Sequence, residues 1–134
     1  MADVTRWTEP LSESQVWEQK SGLSSVGFQL RHLAGSVDRL ITYAKREQLN
    51  QMQLAFLRAE AEPGATKSEL LAALADTFRQ ATEYSAAASD FEAPRFVGRQ
   101  RLETPLGVLL AHIAEHTQRH TGQLIVLAKV VLAS

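Results

Sequence analysis

The sequence predicts an all-α fold, an antiparallel helical bundle, from three observations. Apolar residues recur at helical spacing through two long segments. A capping signature opens a third segment. No stretch alternates apolar and polar residues as a half-buried strand does, and internal repeats and low-complexity tracts are absent. At 134 residues the chain reads as one domain, 1–134, long enough to bury a core without staples.

The elements follow in order. Residues 1–22 read as polar and irregular, with a short helical turn in LSESQVWEQ. Ser24 or Ser25 serves as N-cap for a helix whose apolar positions are Val26, Leu30, Leu33, Val37, Leu40, Ile41 and Ala44, running to about Arg46. A weaker helical stretch, MQLAFLRAE, follows Asn50, and Pro63-Gly64 breaks the chain. Thr66-Lys-Ser-Glu69 is a capping box, in which hydroxyl and carboxylate each satisfy a free amide at a helix start; that helix should reach about Ala87. Residues 89–103, rich in Pro, Arg and Gly, read as a loop. Thr104-Pro105 then reads as N-cap and first position of a last helix that runs nearly to Ser134.

Composition narrows the function. The formal net charge is −1 with Lys and Arg dispersed, which argues against a nucleic-acid partner because such proteins carry a basic patch or stripe. There are no cysteines, so disulfides, thiolate ligands and a cysteine nucleophile are excluded. The N-terminus MADVTRWTEP has no apolar signal core, and the most apolar segment, LIVLAKVVLA, is about half the length a bilayer requires and contains Lys129. The expectation is a cytoplasmic protein with no membrane association.

Chemistry concentrates in the histidines. Of four in the chain, His112, His116 and His120 share the last helix and His32 lies on the other strongly amphipathic one. A spacing of four stacks neighbours one turn apart on one face, so two imidazoles can reach a common metal. On the last helix His116 and His120 flank the apolar face formed by Leu106, Leu109, Leu110, Ile113, Leu124, Leu127 and Val131, whereas His112 lies farthest round towards solvent. Burying imidazoles beside leucines costs free energy unless something satisfies their nitrogens, and a metal does so. The geometry therefore nominates His116 and His120, with His32 supplied from across the bundle. A competing motif, His112-Ile-Ala-Glu115-His116, matches the H-x-x-E-H pattern of inverted zinc peptidases. It leaves His120 unexplained, and the chain is small for a peptidase cleft.

Two stretches, SSVGFQLRHLAGSVDRLITYA and HIAEHTQRHTGQL, together resemble the DinB/YfiT-like superfamily. Ser25 leads to His32 in an S-x-x-x-x-x-x-H start, and His116-Thr-Gln-Arg-His120-Thr-Gly122-Gln123 supplies the H-x-x-x-H-x-G-Q motif. The resemblance covers roughly residues 10–133. It implies a four-helix bundle, a divalent metal site of His32, His116 and His120, and frequent dimers. One departure stands out: only about ten residues precede LSESQVWEQ, so the bundle's first helix is short or missing. An uncovered apolar stripe then predicts a homodimer. In the resembled superfamily, several branches use the metal to activate a low-molecular-weight thiol for transfer or isomerisation. Without a cysteine here, such a thiol arrives as a cosubstrate.

Three neutral imidazoles leave coordination positions open, the mark of a catalytic site. The expected activity is metal-dependent thiol transfer to, or hydrolysis of, a small molecule. The alternatives are a non-catalytic metal-binding protein of stress or damage response and, on the family's name alone, a DNA-binding one. Imidazole suits Zn, Ni, Mn and Fe alike. Gln123 falls within the histidine arc and Arg119 at its outer edge, as residues to orient a ligand or meet an anionic substrate; His112 stands beside them as a further substrate-side residue. Gly122 interrupts a helix interior at a cost of roughly 1 kcal/mol, which close packing against a neighbouring helix would explain. Trp7, Trp17, Phe28 and Phe56 read as core or cover.

Overall fold

The computed structural model describes residues 1–134. It is mostly helical, with helices α1 (Ala2–Thr8), α2 (Glu13–Val16), α3 (Val26–Ala44), α4 (Gln51–Arg58), α5 (Lys67–Ala87) and α6 (Leu106–Leu132) and a two-stranded sheet, β1 (Pro94–Val97) and β2 (Leu102–Pro105), before α6.

Side-chain caps start α3 and α5 where the sequence places them, and α2 and α4 carry caps of their own. Ser25 accepts the Phe28 amide at the head of α3, and reciprocal capping boxes open α2 (Ser12 with Gln15), α4 (Asn50 with Gln53) and α5 (Thr66 with Glu69). α3 ends at Ala44, short of Arg46, which takes a left-handed backbone (φ 64°) and turns the chain away.

α3 is the central element: α5 and α6 both pack along it. The main core joins Val26, Leu30, Leu33 and Ala34 of α3 to Leu70 and Leu74 of α5 and Leu124, Leu127, Ala128 and Val131 of α6. Two smaller clusters continue it: Val37, Ile41 and Ile113 in the middle, and Ala44, Leu106 and Leu109 at the far end. Gly35 lets α4 approach α3, because a Cβ there would lie 2.8 Å from the Phe56 ring. At the far end the Ala44 carbonyl, free at the helix terminus, accepts hydrogen bonds from Tyr84 Oη (2.8 Å) and Arg95 Nε (2.6 Å).

Several expectations are corrected. Residues 1–22 are not irregular. Val4, Thr8, Leu11 and Val16 are fully buried, and α1 packs on α6. Polar residues mask the helical spacing of Val4, Trp7, Thr8 and Leu11, and Thr8 enters the core because its hydroxyl bonds the Val4 carbonyl at 2.8 Å. The chain thus opens with a short helix of seven residues. The stretch 89–103 is not all loop: β1 and β2 pair antiparallel, Arg95 opposite Thr104 and Phe96 opposite Glu103, around a turn with Gly98 at φ 76°. Thr104 therefore belongs to a strand, and Pro105, not Thr104, occupies the N-cap of α6. Gly122 meets no neighbouring helix, since a Cβ there would have nothing within 4 Å. α1 covers only one end of the bundle. Between α5 and α6 an open groove of about 1000 Å³ remains, lined by Val37, Phe78, Ala81, Leu110, Ile113 and Ala114. No helix is long and apolar enough to cross a membrane.

Candidate metal centre

The site forms where α3 and α6 run side by side. His32 comes from the second turn of α3, and His116 and His120 from successive turns of α6. Leu30, Leu33 and Leu124, all fully buried, press the two helices together and fix the register that brings the imidazoles to one place. Ring centroids stand 4.4 Å apart for His32 and His120, 4.4 Å for His116 and His120, and 5.3 Å for His32 and His116. One nitrogen from each ring lies within 4.8 Å of the other two, a grouping that can hold a metal ion. All three residues are partly buried.

Two of the three rings are held from behind. His32 Nδ1 and Glu60 Oε2 are 3.0 Å apart, and the second oxygen of Glu60 accepts from Arg39 Nη2, also at 3.0 Å. His120 Nδ1 lies 2.9 Å from Gln29 Oε1, and Gln29 Nε2 donates to the Ser24 hydroxyl at 3.1 Å. Both partners stand on the Nδ1 side of their rings. Phe28 stacks on His32 at 5.5 Å and limits its rotation. His116 differs: its Nδ1 is buried with no partner. A buried orphan nitrogen costs free energy, and no group of the protein relieves it. Ligation through that nitrogen would, and the three-imidazole donor set suits a borderline divalent cation.

Electrostatics favour the neutral form at His116 and His120. Burial, then the neighbouring His120, His32 and His112 and the Arg119 charge, push His116 down to about 4. Burial, His32 and Arg119 likewise lower His120; Gln123 and Glu60 oppose this only in part. Gln123 stands close enough to influence that ring, but the contact with hydrogen-bond geometry is the one to Gln29. Burial pushes Glu60 up, yet the hydrogen bond to His32 and the Arg39 charge outweigh it and leave the carboxyl below its ordinary value. Neutral imidazoles are the form that binds metal.

The remaining expected residues fall around this centre. Gln123 is exposed and lines, with Gly122, Gln29, Ser24, Leu23, Val126 and Leu127, a cavity of about 460 Å³ that none of the three histidines lines and that reaches the group through Gln29, the partner of His120. Arg119 points to solvent, paired with Glu115 at 3.0 Å, and lines none of that cavity. His112 is exposed, 5.9 Å from His116 by ring centroids, and stands outside the three-histidine group. The H-x-x-E-H reading therefore fails on geometry, because its first histidine is outside the group and its glutamate is engaged with Arg119.

Sequence reasoning missed Glu60 and Gln29. Gln29 was within reach of it, one turn before His32 on the same helix. Glu60 carried no signal: it sits among other charged residues after a weak helix, 28 positions from its partner.

The model of the DinB superfamily matches residues 2–124, the segment that carries all three histidines and most of the helices around them. No curated protein matches the chain. By that match the chain belongs to the DinB superfamily.

Proposed function

We propose that the protein is a metal-dependent enzyme that uses one divalent ion held by His32, His116 and His120 to act on a small molecule, through thiol transfer or, next, hydrolysis. The observation that carries this reading is the convergence of three imidazoles, with no fourth protein ligand in the group. Coordination positions left open are the mark of catalytic rather than closed structural sites. A divalent ion held there would supply Lewis acidity, lowering the pKa of a thiol or water. The residues do the rest. Glu60 and Gln29 hold two imidazoles from their Nδ1 sides. Leu23, Val126 and Leu127 give the adjacent cavity an apolar wall, and Gln29 and Gln123 place amide groups along it. Because the chain has no cysteine, any thiol enters as a low-molecular-weight cosubstrate, which suits a cytoplasmic setting.

A panel of such thiols with electrophilic acceptors, run on zinc-, nickel-, manganese- or iron-loaded, metal-stripped and His120→Ala protein, tests the proposal. A rate confined to loaded wild type supports it. Equal rates in all forms, or metal uptake without turnover across the panel, favour the alternative, a non-catalytic metal-binding protein of stress response. The packing of α1 on α6 supports reading the domain as a four-helix bundle with a shortened first helix. The open groove between α5 and α6 supports a homodimer in which a partner covers what α1 does not reach.

A further inference from the structure

We infer that Glu60 is a positioning residue of the metal centre: held by Arg39, it fixes His32 as the Nδ1–H tautomer and so presents Nε2 to the ion.

Glu60 is 5% exposed, in a chain whose other carboxylates lie at or near the surface. A carboxylate is buried at this cost only when its oxygens are used. Both are. Oε2 faces His32 Nδ1 and Oε1 accepts from Arg39 Nη2, each at 3.0 Å. Arg39 bonds no other group; its second terminal nitrogen is packed, unpartnered, against Gly35 and Phe56. The guanidinium is therefore aimed at Glu60 alone.

The backbone that carries Glu60 is fixed as well. It lies in the turn after α4, and Arg31 donates from one Nη1 to the carbonyls of Ala59 (2.8 Å), just before it, and Glu62 (2.7 Å), two residues after it. Arg31, His32 and Arg39 all project from α3, so one face of that helix grips the turn at three points. An exposed loop carboxylate needs no such fastening. Its effect is a chemical choice at the ring: a carboxylate accepts and never donates, so the proton of neutral His32 sits on Nδ1 and the lone pair on Nε2, towards His116 and His120. Carboxylate partners of ligating histidines also raise ligand basicity, and removing them typically weakens metal binding about 10–100-fold.

This inference rests on the metal-centre reading for its affinity consequence but not for the tautomer, and the experiment separates the two. Histidine-labelled protein, metal-free, is examined by long-range proton–nitrogen correlation at a pH where the rings are neutral. His32 is expected as the Nδ1–H form in wild type and as a mixture in Glu60→Gln, whose amide cannot serve both a ring N–H and a guanidinium as acceptor. Wild-type His32 in the Nε2–H form overturns the inference whether or not metal binds. Zinc alone is then titrated against a competing chelator. Glu60→Gln is expected to lose about 10–100-fold in affinity. Arg39→Met, which leaves Glu60 on His32, should keep the Nδ1–H tautomer and lose less. Folded Glu60→Gln binding zinc as tightly as wild type overturns the inference. Equal losses in the two variants, with the tautomer intact in both, also overturn it, by assigning Glu60 a structural role only. Should Glu60→Gln not fold, the wild-type tautomer and the Arg39→Met titration decide. Absence of zinc binding in wild type refutes the metal centre, and the tautomer still decides for Glu60.

Discussion

Two helix-interior glycines separate the cost of the glycine backbone from the space a glycine leaves. Replacing either by alanine gains about 1 kcal/mol of helix propensity. At Gly122 a Cβ meets nothing within 4 Å, so that gain stands alone. At Gly35 it meets Phe56 ring carbons at 2.8 and 2.9 Å and Arg39 Nη1 at 2.7 Å. The arginine end can swing aside, but the ring belongs to α4 and must move with it, an overpacking cost of about 1–3 kcal/mol. Unfolding entropy for a chain of this length is about 0.28 kcal/mol/K, scaled from about 2.1 cal/mol/K per residue. Gly122→Ala should therefore raise the Tm of metal-free protein by about 3–4 °C. Gly35→Ala should lie about 4–11 °C below Gly122→Ala, the difference reporting the Phe56 contact. Thermal unfolding followed by circular dichroism provides the measurement. Equal Tm values would show that α4 does not press on α3 at Gly35, and a fall in Gly122→Ala would show that something covers that face of α6. Zinc affinity adds a second reading: Gly122→Ala should leave it unchanged, whereas Gly35→Ala, by displacing Arg39, should weaken it.

Other outcomes follow from the same geometry. His116→Ala and His120→Ala should each abolish stoichiometric zinc binding, read by metal analysis after dialysis, and His112→Ala should leave it intact; full binding in both of the first two refutes the site. The metal-free protein should lose stability as pH falls. The folded pKa of His116, about 4, lies below the unfolded 6.5, so the unfolded chain binds the extra proton first. The contribution is complete above 6.5 and is lost as pH falls towards 4; denaturant midpoints that do not change across this window refute the burial of a neutral His116. Zinc affinity should decline with pH in the same direction, because protons compete for the same nitrogens. Light scattering at micromolar concentration should give about twice the chain mass, and Ala114→Arg in the groove should return it to one; a monomeric wild type refutes the dimer.

What was legible in the sequence was whatever a side chain does to its own neighbourhood. The box at Thr66-Glu69 acts over one turn, and the spacing from Val26 to Ala44 reports one helix face, so α3 and α5 could be read nearly to their ends. His116 and His120 were legible for the same reason, and His32 because its helix shows the same apolar flank. The features that escaped depend on distant partners. α1 is held by a few residues against α6, one of them a threonine that becomes apolar only by bonding its own helix. In β1 the single buried residue is Arg95, the reverse of a strand's usual pattern, tolerated because its Nε reaches the Ala44 carbonyl. Glu60 looks like any solvated acid until α4 folds back over His32. Gly122 was misread because an unfavourable helical glycine suggests packing, and here it borders open space.

The Ala44 carbonyl, which accepts two side-chain hydrogen bonds, ties down one end of α3 without any of the three histidines. Helical rise places it about 18 Å from His32 along α3. There it joins three elements, the end of α3, Tyr84 of α5 and Arg95 of β1, through bonds that involve no metal ligand. The opposite half of α3 carries His32 and Gln29 beside the main core of Val26, Leu30, Leu33 and Ala34, and one ring nitrogen of the histidine group there has no partner within the protein. Amide exchange should therefore run on two clocks. Protons around residues 40–44 and 106–109 should exchange at a rate indifferent to zinc, while those flanking 29–36 and 116–123 should slow on loading. The clamp holds the end of α3 that lies away from the three histidines, so an ion taken up at the other end should slow exchange in one part of the chain and leave the rest as it was.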